Sequence, residues 1–371
     1  MQNKLYNIQA LRAFAVMLVV GLHLLAVEAK YSTGVLLPNF LRIGISGVDL
    51  FFVISGFIMV TVTASAHAGD FAKRGWCSWK FFYMRLSRIY PLYWLVSAIA
   101  LVIFLNHPTF MNVPHYSTSF VAKSFLLLPQ QGLPLLMVGW SLVHEMYFYV
   151  VFAGFLLLPR QYLPYLLLVW LGVVIVGFPH VRPFDANQSQ YLRFVFSPLT
   201  VEFIAGAYLA LLVERRVIAR QEFWLPRQAF CLGLFSLPVI WHFFSFNANS
   251  IDVAGWPRVY LFTVPFLLML YGAVAMEKNR LAIAPGWLVR VGDHSYSIYL
   301  THILVLSVCG RIWKSISWES YADNSLMIVL ALAGVLACGT LCFRFIEKPL
   351  LSLSRHLVRA ETVSKIGSVP P

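Results

Sequence analysis

The sequence predicts an all-α, polytopic integral membrane bundle of about ten transmembrane helices, with the N-terminus and C-terminus both cytoplasmic. Three observations carry that prediction. The first is composition: 60% of the 371 residues are hydrophobic and only 12% are charged, against roughly 25% charged in an ordinary soluble domain. The second is spacing. Apolar runs near spanning length recur at 8–27, 44–63, 89–106, 139–158, 162–179, 195–213, 229–246, 257–275, 295–312 and 326–346. The third is charge asymmetry. With a cytoplasmic N-terminus, nineteen lysines and arginines fall on inner segments and eight, Arg258 among them, on outer ones, leaving Arg12 inside the first span.

The same figures exclude other classes. A mean hydropathy of +0.75 is incompatible with a disordered chain. The net charge of +13 would suggest nucleic acid in a soluble protein. Here the positive-inside bias explains it first, and anionic headgroups or phosphorylated substrates second. The first apolar run reads as a signal anchor, not a cleavable leader. The stretch 120–128 is apolar but too short to cross, so it reads as re-entrant or interfacial. One transmembrane domain is expected over 1–351, followed by a short, loose polar tail over 352–371. Five cysteines without a close CxxC pair read as free thiols. No metal-ligand motif, phosphate-binding glycine loop or GxSxG elbow occurs.

Ionisable groups at membrane depth need a reason. Arg12 and His23 are eleven residues apart, which is about 20° beyond three full helical turns. They share one face of the first span, roughly 16 Å apart. Asp49, in GVDLFFVISGF of the second span, and Glu145, in the fourth, fall within ~10 Å of the outer boundary, the depth also computed for His23. A cluster of the three would let the acids orient the imidazole. The alternative for Asp49 is a local cap or pair, and for Arg12 it is snorkelling to headgroups. Arg85 and Arg88 lie three apart before the third span, on one helical face, among aromatics. They suit a phosphorylated ligand, or equally a positive-inside anchor. His302 in the ninth span is either a ligand contact from the cytosolic side or a buried structural histidine. Glu347 is expected to pair with a cytoplasmic arginine, and Glu202 needs a partner that the sequence does not name.

Taken together these segments resemble the acyltransferase-3 family of membrane acyltransferases. The resemblance rests on Arg12 and His23, on GVDLFFVISGF, on Phe82, Arg85, Arg88 and Tyr90-Pro91, and on Trp140-Ser141-Leu142 with Glu145 and Phe148-Tyr149. It continues through Ser295-Tyr296-Ser297-Ile298-Tyr299-Leu300 with His302, and Arg344-Phe345 with Glu347 and Pro349. One position departs from the family pattern: Met146 stands where a second carboxylate often follows the glutamate matched by Glu145. The resemblance implies a stand-alone member without a fused SGNH domain. It implies acetyl-CoA as cytoplasmic donor, no metal, and a hydroxyl of a surface polysaccharide or lipid-linked glycan precursor as acceptor at the outer face.

On that reading Arg85 and Arg88 hold phosphates, Arg12 and His302 meet the donor inside the bundle, and His23 acts on the hydroxyl as base or takes the acetyl group itself. Glu145 fixes the tautomer of His23, and Asp49 either helps or shapes the site. The protein is expected in the bacterial inner membrane, in contact with the bilayer, with no nucleic acid and with glycan-assembly proteins as possible neighbours. Two rivals remain at this stage. A transporter would use the same buried charges as a relay, and an acetyl carrier would pass its group to a separate transferase.

Overall fold

A computed structural model describes residues 5–32, 34–64, 71–110, 117–180, 189–214, 224–244, 255–281, 283–317 and 320–356. Lys4, Arg182, Arg215, Arg216, Arg220, Arg359 and Lys365 of the charge count lie outside the described residues, as does the expected tail beyond 356. Each of the ten predicted spans coincides with a helix, and the described residues contain no strand. The helices in chain order are α1 (Tyr6–Tyr31), α2 (Gly47–Val62), α3 (Phe71–Asn106), α4 (Thr118–Phe125), α5 (Gly139–Phe155), α6 (Leu163–Gly177) and α7 (Gln190–Val195). They continue as α8 (Leu199–Glu214), α9 (Trp224–Phe244), α10 (Trp256–Lys278), α11 (Gly286–Asp293), α12 (Ser295–Ile316) and α13 (Tyr321–Cys342).

Among the described residues eight segments are long and apolar enough to cross a membrane, and two of the ten predicted spans fall short of that measure. α5 has 17 residues, about 26 Å at 1.5 Å per residue. In α9 the apolar run is diluted by Arg227, Gln228 and His242. α5 packs among α3, α8 and α12, whereas α9 packs on α10 and leaves Leu232, Phe235, Val239 and Phe243 exposed on its other face.

Polar contacts at the helix ends fix the antiparallel order. At the end assigned to the cytosol, the backbone N–H groups of Tyr6 and Asn7 donate to the Glu277 carboxylate at 2.7 Å each. Those two donors are unsatisfied by α1 itself, and the carboxylate from the last turn of α10 closes them. Arg160 and Glu214 form an ion pair at the same end. At the opposite end Glu28 accepts from the N–H groups of Leu36 and Leu37 at 2.7 and 3.0 Å. α2 and α8 cross closely because each places a glycine at the contact. A Cβ on Gly56 would lie 1.9 Å from the Phe203 carbonyl oxygen, and one on Gly206 would lie 1.9 Å from that of Val53. In lipid, where tails are as apolar as side chains, such small-residue contacts are a main source of helix association.

Three local features differ from the sequence expectation. α3 begins eighteen residues before the predicted 89–106 span, because the helix runs through a charged stretch, Lys73 to Arg88, that an apolar run cannot include; Pro91 is carried inside it. The segment carrying Arg85 and Arg88, read as helical but before the span, is therefore continuous with the membrane helix. α4 is too short to span, as expected, and its free carbonyls are taken up by α3. Tyr93 donates to Ser124 O at 2.6 Å, Trp94 Nε1 to Phe125 O at 2.9 Å and Tyr90 to Leu126 O at 2.9 Å. Beyond α13 the chain makes a π-helical turn over Phe343–Glu347 and stays helical to 356. Residues 352–356, expected in a loose tail, thus continue the helix.

Candidate active site

The ionisable residues singled out by sequence separate into three sets. The first is a pair of histidines. His23 on α1 and His302 on α12 meet with Nδ1 and Nε2 3.3 Å apart, the ring centroids 5.0 Å apart. His302 is fully buried and His23 half-buried. Hydrogen-bonding chemistry assigns the protons. His302 Nδ1 lies 2.7 Å from Tyr299 O and His23 Nδ1 lies 2.9 Å from Val19 O. A carbonyl accepts only, so both Nδ1 atoms carry hydrogen. His302 Nε2 is then an acceptor facing the Nδ1–H of His23. The lone pair of His23 is left on Nε2, the nitrogen that a reacting hydroxyl can use.

The second set lines a cavity of about 90 Å³ between α1, α2, α3, α5 and α12, and includes Arg12, Ser55, Arg85, Arg88, Glu145, Tyr149 and Tyr299. Glu145 accepts from the Tyr149 hydroxyl and from Ser55 at 3.3 Å. Tyr149 is one turn on from Glu145 on α5, so the helix itself presents this pair. Arg85 lies over the rings of Phe81 and Tyr149, 5.3 and 5.5 Å from their centroids. Arg12 donates to Gln9 at 2.9 Å. Arg88 has no hydrogen bond or ion pair among the described residues, and its charged neighbours are Arg12, Arg85 and Glu347. Glu347 itself is buried and accepts from Ser297 at 2.5 Å. The expected arginine partner is thus replaced by a hydroxyl, with Arg88 and Arg12 near by.

The third set is an ion pair. Arg258 donates from Nε to the two Asp49 carboxylate oxygens at 2.7 and 3.0 Å and from a terminal nitrogen to one of them at 2.7 Å. It also donates to Ile45 O at 3.1 Å. Asp49 is 0% exposed and Arg258 2%. Glu202 of α8, also buried, faces this pair, with both Asp49 and Arg258 as charged neighbours.

The structure therefore does not gather His23, Asp49 and Glu145 into one group. Asp49 is neutralised by Arg258. Glu145 sits with Ser55 and Tyr149, and no hydrogen bond joins it to His23. Tyr299 lines the cavity and lies beside His302: its hydroxyl meets Ser141 Oγ at 2.7 Å, one turn from Glu145, and donates to Val138 O at 3.0 Å. Its ring is 5.8 Å from that of His302. Depth along a span says nothing of which helices are neighbours, and the neighbours decide the grouping: Asp49 meets Arg258, Glu145 meets Ser55 and Tyr149, and His23 meets His302. Arg258 counted only as an outer cation and Tyr299 only as part of a motif; the contacts to Asp49 and to Ser141, 209 and 158 residues away in the chain, show what each does. Among the described residues no group of histidine, cysteine, aspartate or glutamate side chains could hold a metal ion, and all five cysteines are free.

A helical membrane bundle with a cationic internal cavity and a histidine pair just beyond it defines a polytopic membrane enzyme. The comparisons give the class. The chain belongs to the acyltransferase-3 family: residues 5–344 match the model of the family described as "Acyltransferase domain", and the protein is an acyltransferase. It is 33% identical over 322 residues to the exopolysaccharide production protein ExoZ of Rhizobium meliloti (strain 1021), covering 84% of this chain and 91% of that one. It is 24% identical over 380 residues to the acyltransferase MdmB of Streptomyces mycarofaciens, covering 94% and 92%. No solved structure matches the chain at a significant level.

Proposed function

We propose that the protein transfers an acetyl group from cytoplasmic acetyl-CoA to a hydroxyl of a carbohydrate, an exopolysaccharide or its lipid-linked precursor, at the outer face of the inner membrane. The observation that carries the reading is a cation-lined cavity whose wall residue Tyr299 lies beside the paired histidines. Arg85 and Arg88 stand at the end that the charge count assigns to the cytosol, Arg12 and Glu145 line the cavity, and His302, paired with His23, lies beside Tyr299. Similarity to a protein named for exopolysaccharide production supports the carbohydrate acceptor.

In this scheme Arg85 and Arg88 bind donor phosphates, for which a guanidinium fork is well shaped. Glu145 balances Arg12 and Arg85 along the passage of the pantetheine arm. Tyr299 leaves Ser141 to admit the thioester to His23. The acceptor oxygen attacks the thioester carbonyl carbon while His23 Nε2 takes the hydroxyl proton. The carbon–sulfur bond breaks, the ester forms, and the proton passes to the departing thiolate to give CoA. His302 keeps the proton of His23 on Nδ1, the part first expected of Glu145. Asp49 and Arg258 tie the outer ends of α2 and α10 and stand outside the chemistry.

The test is turnover by the full-length protein in nanodiscs. With acetyl-CoA and the host's lipid-linked glycan, free CoA thiol appears in step with an acetyl mass increment on the glycan. A permease moves acetyl-CoA or glycan without releasing thiol, and an acetyl carrier releases thiol but leaves the glycan unmodified until a second protein is added. Either outcome refutes the proposal.

A further inference from the structure

We infer that Lys80 and Arg355 form an outer phosphate clamp that completes, with Arg85 and Arg88, a site for the phosphorylated nucleotide end of the donor; this rests on the reading above that the donor is a CoA thioester. A second cavity, of about 400 Å³, is bounded by Lys80, Arg85, Arg88, Arg355, Thr63 and Cys77. Its residues come from the end of α2, the first half of α3 and the helix beyond α13, all at the end assigned to the cytosol. Arg85 and Arg88 line both this chamber and the 90 Å³ cavity that holds Glu145. A wide chamber and a narrow one therefore lie on either side of the same two guanidiniums. That is the outline of a ligand with a bulky polyanionic head and a slender tail.

Charge fits the same outline. Four cations and no carboxylate line the outer chamber. Lys80 and Arg355 are exposed, and neither makes a hydrogen bond or ion pair among the described residues. Arg85 and Arg88 are half-buried further in. A lysine or arginine at the cytosolic interface is ordinarily a headgroup anchor, but these four converge on one chamber instead of spreading round the rim. Arg355 reaches it only because the helix continues past the π-helical turn at Phe343–Glu347. A diphosphate together with a ribose phosphomonoester offers oxygens enough for all four, so the outer pair would read the phosphomonoester that distinguishes CoA from dephospho-CoA.

The experiment uses full-length protein in zwitterionic nanodiscs and compares kcat/KM for acetyl-CoA, acetyl-dephospho-CoA and S-acetylpantetheine. In Lys80→Gln and Arg355→Gln the ratio of kcat/KM for acetyl-CoA to that for S-acetylpantetheine falls about tenfold each, and about 100-fold in the double variant, through KM. Wild type prefers acetyl-CoA to acetyl-dephospho-CoA, the double variant does not, and Lys80→Arg with Arg355→Lys restores the preference. An unchanged ratio overturns the inference, and so does an equal loss with S-acetylpantetheine, which marks general damage. A loss seen only in nanodiscs containing anionic lipid also overturns it, because the cations then serve headgroups. Failure of wild type to turn over any CoA thioester is a different result: it removes the donor reading itself, and this site with it.

Discussion

Replacing His23 with alanine is expected to lower the rate of acetyl transfer by about 10²–10⁴-fold, the usual contribution of a positioned general base. Binding of the donor, followed by equilibrium titration with CoA, is expected to persist, because His23 does not line the cationic cavity. His302 acts through His23 and is a positioning residue, so its loss costs less. One neutral hydrogen bond contributes about 0.5–1.5 kcal/mol net, or about 2–10-fold in rate, and that is the expected effect of His302→Leu. His302→Gln keeps an acceptor for the Nδ1–H of His23 and is expected to recover most of the loss, which a merely structural role would not predict. Full transfer by the His23→Ala protein would remove the scheme.

The second large effect concerns the ion pair between α2 and α10. In Arg258→Met the Asp49 carboxylate stays buried without its three hydrogen bonds, and Glu202 loses the same neighbouring cation. Breaking one partner of a buried pair costs about 3–5 kcal/mol, so thermal unfolding in detergent is expected to shift sharply downward. The double variant Asp49→Leu with Arg258→Met is expected to regain much of that, since apolar replacement of a whole buried pair is often neutral or better. A double variant as unstable as the single one, or an Asp49→Leu protein that is stable but inactive, would return Asp49 to the chemistry.

Much of the fold was readable because the bilayer demands long apolar helices and little else. α1 is the clearest case. Arg12 and His23 sit on one unbroken helix, so their spacing alone turns both inward, Arg12 to the cavity and His23 to α12. The limits were equally physical. Sequence gives approximate depth along a span but not which helices are neighbours. Arg258 counted as an outer loop charge, yet it lies 209 residues from Asp49 in sequence and 2.7 Å from it in space. Glu145 and His23 had the same nominal depth, yet they bond to different partners, Glu145 to Ser55 and Tyr149 and His23 to Val19 and His302. The length of α3 was hidden by its charges: Lys73, Arg74, Lys80, Arg85 and Arg88 interrupt the apolar run before residue 89, while the helix runs through them from Phe71.

The central claim is that a thioester arriving from the cytosol reaches the imidazole of His23. Bromoacetyl-CoA tests it directly, since a nucleophile at the end of the path displaces bromide and keeps the CoA thioester attached. After treatment of the membrane-embedded protein from its cytosolic face, mass spectrometry is expected to place the adduct on His23, with acetyl-CoA protecting against it. Labelling confined to cysteines or to Glu145, with His23 unmodified in protein that still turns over, would contradict the account.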